Sequence, residues 1–240
     1  MCGIFGYVGA QADTGDMVLQ ALKRLEYRGY DSWGVAVGVN GHIEIEKHVG
    51  KIGSALVDLP ASDIGFGHTR WATHGGVCEA NAHPISDASG RLAVIHNGII
   101  ENFRPLRSSL IERGYKFHSE TDTEVVAHLV SDLLGEESTT EAVRDAVARA
   151  FMQLRGLNAI IVLDRRTHTL TAVKHVSPLV IGRSASGSYI ASDTLALAGH
   201  TDRVSYLEDY QLIQLSRDGI TSCDARDGAD WPLEWSDIPI

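Results

Sequence analysis

The chemistry open to this chain starts at its second residue. Cys2 follows the initiator directly, in Met1-Cys2-Gly3-Ile4-Phe5-Gly6. Removal of Met1 is expected because the next side chain is small. It leaves one residue carrying both a thiol and a free α-amine. A free thiol with a pKa near ~8.5 is mostly protonated at neutral pH, and the thiolate is the nucleophile. An α-amine with a pKa of roughly 7.7–8.0 is a base of suitable strength. Nucleophile and general base then come as one unit. The competing reading is a small buried hydrophobe near the start of a strand.

Such a nucleophile needs a substrate holder and an oxyanion site. Arg70 lies at the end of an expected strand and at the mouth of a polar loop, Thr69-Arg70-Trp71-Ala72-Thr73-His74-Gly75-Gly76. Its guanidinium can grip a carboxylate bidentately, or it is a surface arginine. Asp122 opens an expected helix, where an aspartate commonly caps the helix but can also face a substrate ammonium. Together Arg70 and Asp122 would hold both charges of an amino-acid zwitterion. Asn97-Gly98 between apolar runs signals a hairpin turn. The same pair could offer a side-chain amide and a backbone N–H to a developing oxyanion. His68, His74, His83 and His96 crowd this region, yet their spacings fit neither a helical metal pair nor a zinc-protease motif, so no metal is expected. A cysteine–histidine dyad stays open but is not required by a self-activating Cys2.

Hydrophobic periodicity sets out the elements that must position these residues. Ile4-Phe5 and Tyr7-Val8 read as a buried strand. Val18, Leu19, Leu22 and Leu25 recur at helical spacing after capping residues at 12–16, with a glycine stop at Gly29. Residues 33–39 and 42–48 alternate as paired strands about an Asn40-Gly41 turn. Strands are expected at 63–71 and 91–96, then a second strand from Ile99 after the Asn97-Gly98 turn. Helices follow at 103–113, 122–134 and 140–154, and strands at 158–164, 169–173, 179–182, 188–191 and 210–215. Strands, then helices, then strands suggest two stacked sheets covered by helices on the outside. No internal repeat or domain boundary is evident. Residues 1–240 read as one domain, with 231–240 as a tail or linker.

The totals agree with an ordinary globular protein. The 240 residues are 44% apolar and 22% charged. A formal net charge of −10 argues against a nucleic-acid or anionic-membrane partner. Three cysteines without a CxxC pair speak against a disulfide scaffold. With no membrane-length apolar run and no leader, a reducing cytoplasm is the expected compartment.

Longer strings carry a resemblance. They are Cys2-Gly3-Ile4-Phe5-Gly6, Leu25-Glu26-Tyr27-Arg28-Gly29-Tyr30-Asp31-Ser32, His68-Thr69-Arg70-Trp71-Ala72-Thr73-His74-Gly75, Asn81-Ala82-His83-Pro84, His96-Asn97-Gly98-Ile99-Ile100-Glu101-Asn102, Ser119-Glu120-Thr121-Asp122-Thr123-Glu124 and Ser177-Pro178-Leu179. The chain resembles the glutaminase domains of the glucosamine-6-phosphate synthase family (glutamine–fructose-6-phosphate aminotransferase), thinning after about Ser205. The first string is shared with other class II amidotransferases. The resemblance implies the N-terminal nucleophile hydrolase fold, an α+β, four-layer αββα sandwich in keeping with that element order, and hydrolysis of L-glutamine to L-glutamate and ammonia through a Cys2 thioester, without a cofactor. It implies that Asn97 and Gly98 form the oxyanion hole, and that Arg70 and Asp122 hold the substrate carboxylate and ammonium. Thr73 and His74 would contact glutamine from a closing loop, Trp71 would gate the ammonia passage, and Arg28 would lie near the nucleophile. The family's sugar-phosphate isomerase domain, expected after Trp235, is not in this chain. Val77-Cys78, Trp33 and Leu157-Asn158 depart from the family pattern, the last read as a core adjustment. The alternatives are a catalytically silent glutamine-binding or regulatory module, or the glutaminase domain of another class II amidotransferase.

Overall fold

The computed structural model describes residues 2–238. In chain order its first half runs β1 (Gly3–Gly9), α1 (Thr14–Leu25), β2 (Ser32–Val39), β3 (His42–Val49), β4 (Ile64–Arg70), β5 (Ile85–Ser86), β6 (Leu92–Gly98) and α2 (Phe103–Glu112). It continues with α3 (Thr123–Leu134), α4 (Thr140–Phe151), β7 (Asn158–Asp164), β8 (Thr169–His175), β9 (Val180–Ser184), β10 (Gly187–Ala191), β11 (Arg203–Tyr206), β12 (Gln211–Ser216), β13 (Gly219–Asp224) and β14 (Ser236–Asp237). The strands form an eight-stranded sheet, β14-β11-β9-β10-β1-β4-β2-β3, and a six-stranded sheet, β13-β12-β8-β7-β6-β5. β1 is central, with antiparallel neighbours β4 and β10.

Side-chain alternation builds the layers, because successive residues of a strand face opposite sides. On β1, Phe5 and Tyr7 pack with Val18, Leu19 and Leu22 of α1, while Ile4 and Val8 face the other sheet. On β6, Leu92 and Val94 pack under α3 and α4, while Ala93 and Ile95 enter the inter-sheet layer beside Ile161 and Ile213. The result is α1, sheet, sheet, then α2–α4: the expected αββα order. Each central strand is covered on both faces, which is why β1, β4 and β7 are buried along their whole length.

Three expectations need correction. Asn97-Gly98 is not a hairpin turn: β6 runs straight through it, with Asn97 paired to Ala159 and Gly98 to Asn158 on β7, and no strand starts at Ile99. Long-range pairing overrides the local turn signal. Gly29 does not end a helix in a left-handed turn. α1 stops at Leu25, a 3₁₀ turn covers Glu26–Arg28, and Gly29 is extended, its missing Cβ leaving room for the Arg70 backbone, 2.8 Å from where that Cβ would lie. Leu157 is not core: it is 53% exposed, and only Asn158 of that pair is buried. The Asn40-Gly41 turn is as expected, with φ of 48° and 79° and Val39 opposite His42.

In the 231–240 stretch, Ser236–Asp237 adds β14 to the sheet edge against Arg203–Val204, and Ile238 N–H donates to the Asp202 carbonyl. Pro239, Ile240 and Met1, with its expected removal, lie outside the described residues. Among the described residues no helix is long and apolar enough to cross a membrane.

Candidate active site

The alternation that fills the inter-sheet layer also gathers the polar residues at one end of it. On β4, Ile64 and Phe66 belong to that layer, and the same face continues through His68 to Arg70. On β6 the face of Ala93 and Ile95 continues to Asn97. Cys2 lies just before β1, one step beyond the Gly3–Thr69 pair. Where the hydrophobic layer ends, thiol, guanidinium, imidazole and amide therefore share one side.

The start of the chain is pinned by hydrogen bonds. Gly3 N–H donates to Thr69 Oγ1 at 3.0 Å, and Ile4 N–H donates to Ser192 Oγ at 2.9 Å. Asn97 Nδ2 donates to the Cys2 carbonyl at 2.9 Å. The Cys2 Sγ accepts the Trp71 N–H at 3.1 Å and lies 3.7 Å from the Trp71 carbonyl, which its S–H can reach. Burial pushes the thiol pKa up, opposed by the Trp71 N–H and the Arg70 charge. A thiol so placed is a weak nucleophile until a base takes its proton. Among the described residues no histidine bonds to Cys2 Sγ, so the histidine cluster supplies no dyad partner.

Cys2, Trp71, Thr73, Asn97 and Gly98 line one cavity of about 270 Å³ together with Arg28, Ile99 and Ser177-Pro178. Gly98 has φ of +128°, and a Cβ there would overlap the Leu157 carbonyl, so only glycine fits beside the thiol. Trp71 stands 50% exposed at the rim, edge-on to Tyr30 at 5.8 Å. Arg28 is held by Asp193 and by the Tyr27 hydroxyl.

Arg70, Asp122 and His74 lie outside that lining. Arg70 is buried, and its guanidinium donates to the carbonyls of His74, Gly75 and Gly76 at the turn of the 71–78 loop. Burial lowers the Arg70 pKa, while Cys2, Cys78, Asp122 and Asp31 act in the opposite sense, which places both Cys2 and Asp122 within its field. Asp122 does not cap α3 with its side chain; its carboxylate accepts the Ile100 N–H at 2.8 Å. A guanidinium and a carboxylate thus lie within one another's electrostatic reach. His74 packs edge-on against Phe103, centroids 5.0 Å apart.

Several contributors are absent from the sequence expectations. Asp31 accepts the Ala72 N–H at 2.9 Å and donates its own N–H to the Arg70 carbonyl, so it fixes the base of the loop. Asn81 and Glu120 latch the loop's far end: Gly76 N–H and Asn81 Nδ2 both donate to Glu120 Oε2 at 3.2 Å. Asp31, Asn81 and Glu120 fall within quoted strings, but nothing local ties them to residues 40 positions away. Val77 and Cys78 are exposed beyond this latch, and Trp33 is buried against His48. A larger open depression of about 640 Å³, lined in part by Lys47, His118 and Glu124, lies apart from Cys2. Its Glu124 carboxylate is consumed by the N–H groups of His118 and Ser119. Among the described residues no group of three or more His, Cys, Asp or Glu side chains could hold a metal ion.

Two central antiparallel sheets between helices, with a cysteine at the head of the central strand, define the N-terminal nucleophile hydrolase fold. Solved structures agree. The phosphoribosylpyrophosphate amidotransferase of B. subtilis, complexed with ADP and GMP, superposes with a TM-score of 0.78 at 24% identity, over 93% of this chain and 49% of that one. A class-II glutamine aminotransferase domain protein from Silicibacter pomeroyi gives 0.61 at 18% identity, over 93% and 99%.

The model of the glutamine amidotransferase domain family matches residues 68–199, more than half of the chain. The chain belongs to that family. It is 45% identical to the glutamine–fructose-6-phosphate aminotransferase (isomerizing) of Streptomyces coelicolor over 92% of its own length, and 41% identical to that of Thermus thermophilus over 98%. It spans only 36% and 40% of those two relatives.

Proposed function

We propose that this chain is a single amidotransferase domain that hydrolyses the side-chain amide of L-glutamine, with Cys2 as nucleophile. The observation that carries the reading is the thiol's setting: Sγ opens into a cavity bordered by Asn97 and Gly98, and Asn97 already bonds the Cys2 carbonyl. With Met1 removed, the α-amine of Cys2 takes the thiol proton and the sulfur attacks the amide carbon. The Asn97 amide and the Gly98 N–H receive the oxyanion. Collapse breaks the carbon–nitrogen bond, the amine returns its proton to the leaving nitrogen, and ammonia departs. Water, deprotonated by the same amine, then cleaves the thioester to give L-glutamate and the free thiol.

Arg70 holds the substrate carboxylate and Asp122 its ammonium, with Thr73 and His74 completing the contact as the loop moves. Trp71 at the rim lies where ammonia would leave. The relatives' name, glutamine–fructose-6-phosphate aminotransferase (isomerizing), supports transfer of this ammonia to fructose 6-phosphate; our reading adds glucosamine 6-phosphate as the product, a sugar-phosphate isomerase domain as the partner and the cytoplasm as the compartment. The fold needs no cofactor for the glutaminase step.

Intact mass and glutamate release, measured on one preparation, test the reading. Mass lacking Met1, glutamate formation from L-glutamine and loss of activity on thiol alkylation are expected. Cys2→Ala should abolish turnover and still bind glutamine. A chain lacking Met1 that binds glutamine but forms no glutamate would instead be a silent binding module.

A further inference from the structure

His68 is fully buried on β4, and its Nε2 lies 3.0 Å from two oxygens, the His96 carbonyl and Asn97 Oδ1. Both are acceptors, so Nε2 carries the ring proton and shares it between them. Asn97 Nδ2 points the opposite way and donates to the Cys2 carbonyl. Reversing the amide would set Nδ2 hydrogens against the His68 N–H and Oδ1 against the Cys2 carbonyl. Two hydrogen bonds would become two repulsions. We propose that His68 is the positioning residue of the oxyanion site: its Nε2–H fixes which face of the Asn97 amide is turned to the thiol. The inference rests on Asn97 as oxyanion donor.

Two further observations support it. His68 Nδ1 is buried without a hydrogen-bond partner, as a bare ring nitrogen beside the His83 ring (centroids 4.4 Å apart) would be. Burial keeps the ring neutral, its pKa pushed down to about 3, so the tautomer persists across the working pH range. The carbonyl that shares the proton is also held from the helix side. His96 Nε2 donates to Asn158 Oδ1 at 2.8 Å, and its Nδ1 accepts the Thr123 hydroxyl at 3.0 Å. That hydroxyl in turn accepts His83 Nε2–H at 2.6 Å. The directions follow one from another, since Asn158 offers an oxygen and leaves His96 Nδ1 as acceptor.

Gln and Met have nearly the same shape and differ in the N–H donor, so His68→Gln and His68→Met isolate it. Removing an oxyanion donor costs ~10²–10³ in kcat, which sets the expectation for Asn97→Ala. His68→Met should lower kcat by roughly 10–100-fold with KM within about threefold, because small misplacement of a catalytic group has that scale. His68→Gln should recover most of the loss, and His68→Met should add nothing to Asn97→Ala. A folded His68→Met with wild-type kcat, a Gln variant no better than Met, or multiplicative losses in the double variant would each overturn the inference. If Asn97→Ala itself turns over normally, the oxyanion assignment fails instead, whatever His68 does. Should the Met variant not fold, long-range proton–nitrogen NMR of the wild-type imidazoles decides: Nε2–H at His68 is required, and Nδ1–H refutes it.

Discussion

Burial of His68 and His83 predicts a steep loss of stability in mild acid. Both rings are almost or fully inaccessible, and desolvation drives both pKa values down, to about 3 for His68 and well below the ordinary value for His83, where neighbouring His68, His96, Arg70 and Lys47 add to the effect. The unfolded chain binds protons at these histidines near pH 6.5, and the folded chain does not. Between 6.5 and about 3 the unfolded state therefore carries more protons, and stability falls as pH falls. For His68, going from pH 7 to pH 5 costs about 2 kcal/mol, and His83 adds to the loss in the same direction. That is a large part of an ordinary domain's stability, about 5–15 kcal/mol. His200, also lowered by burial, acts in the same direction. Glu124 adds little in this window: with its pKa held down to about 2, its contribution is lost between the unfolded carboxylate pKa of ~4.3 and about 2, below pH 5. Urea unfolding at pH 7, 6 and 5 measures the slope. His83→Gln keeps a donor for Thr123 and should make the pH 7-to-5 loss smaller. Wild-type stability changing by less than about 1 kcal/mol over that range, or an unchanged slope in His83→Gln, would refute the reasoning.

Gly98→Ala should lower stability by about 1–3 kcal/mol and glutaminase kcat by more than about 100-fold, since the added methyl meets the Leu157 carbonyl at a positive φ; thermal melts and steady-state kinetics check both. Arg70→Ala and Asp122→Ala should each reduce kcat/KM by roughly 2–5 kcal/mol of transition-state stabilisation, and wild-type kinetics in either removes that residue from the clamp. Asp122→Ala should also unfold earlier by about 1–3 kcal/mol, because the buried Ile100 N–H loses its acceptor. Asn81→Ala releases the Gly76 carbonyl and Glu120, and should speed proteolytic nicking of the 71–78 loop while the rest of the chain stays intact.

The layer order was legible because it rests on period: β7 reads as seven buried residues in a row, and the Asn40-Gly41 hairpin sits on the strongest short turn signal. The same signal misled at Asn97-Gly98, where pairing with β7 outweighs the local preference, and that override holds the amide inside the sheet beside Cys2. β13 was not expected: its segment, Gly219–Asp224, is mostly partly exposed at a sheet edge, so its alternation is weak. Cys2, Arg70, Asn97, Gly98 and Asp122 were candidates by residue type and by resemblance, and of these Cys2, Asn97 and Gly98 share one cavity. The histidines were visible as a crowd but not as a network, because His68, His83 and His96 meet only when two sheets stack. One signal was available: His68 shares the parity of Ile64, Phe66 and Arg70, which assigns it to the inward face of β4.

Arg70 is engaged within its own loop: Nη1 and Nη2 donate to the carbonyls of His74, Gly75 and Gly76, which occupies three of its five N–H groups. With Arg70 as the carboxylate holder, a carboxylate competes with peptide oxygens for the Nη2 hydrogens, so glutamine recognition is in part an exchange. An ionised carboxylate can displace those oxygens, because charge-assisted bonds are roughly twice as strong as neutral ones. A neutral analogue competes for those hydrogens on no better than equal terms with the peptide oxygens. Discrimination for charge then comes from the incumbent as much as from the site. The same incumbent competes for Arg70 once glutamate has formed, so the loop that yields to substrate also helps to expel product.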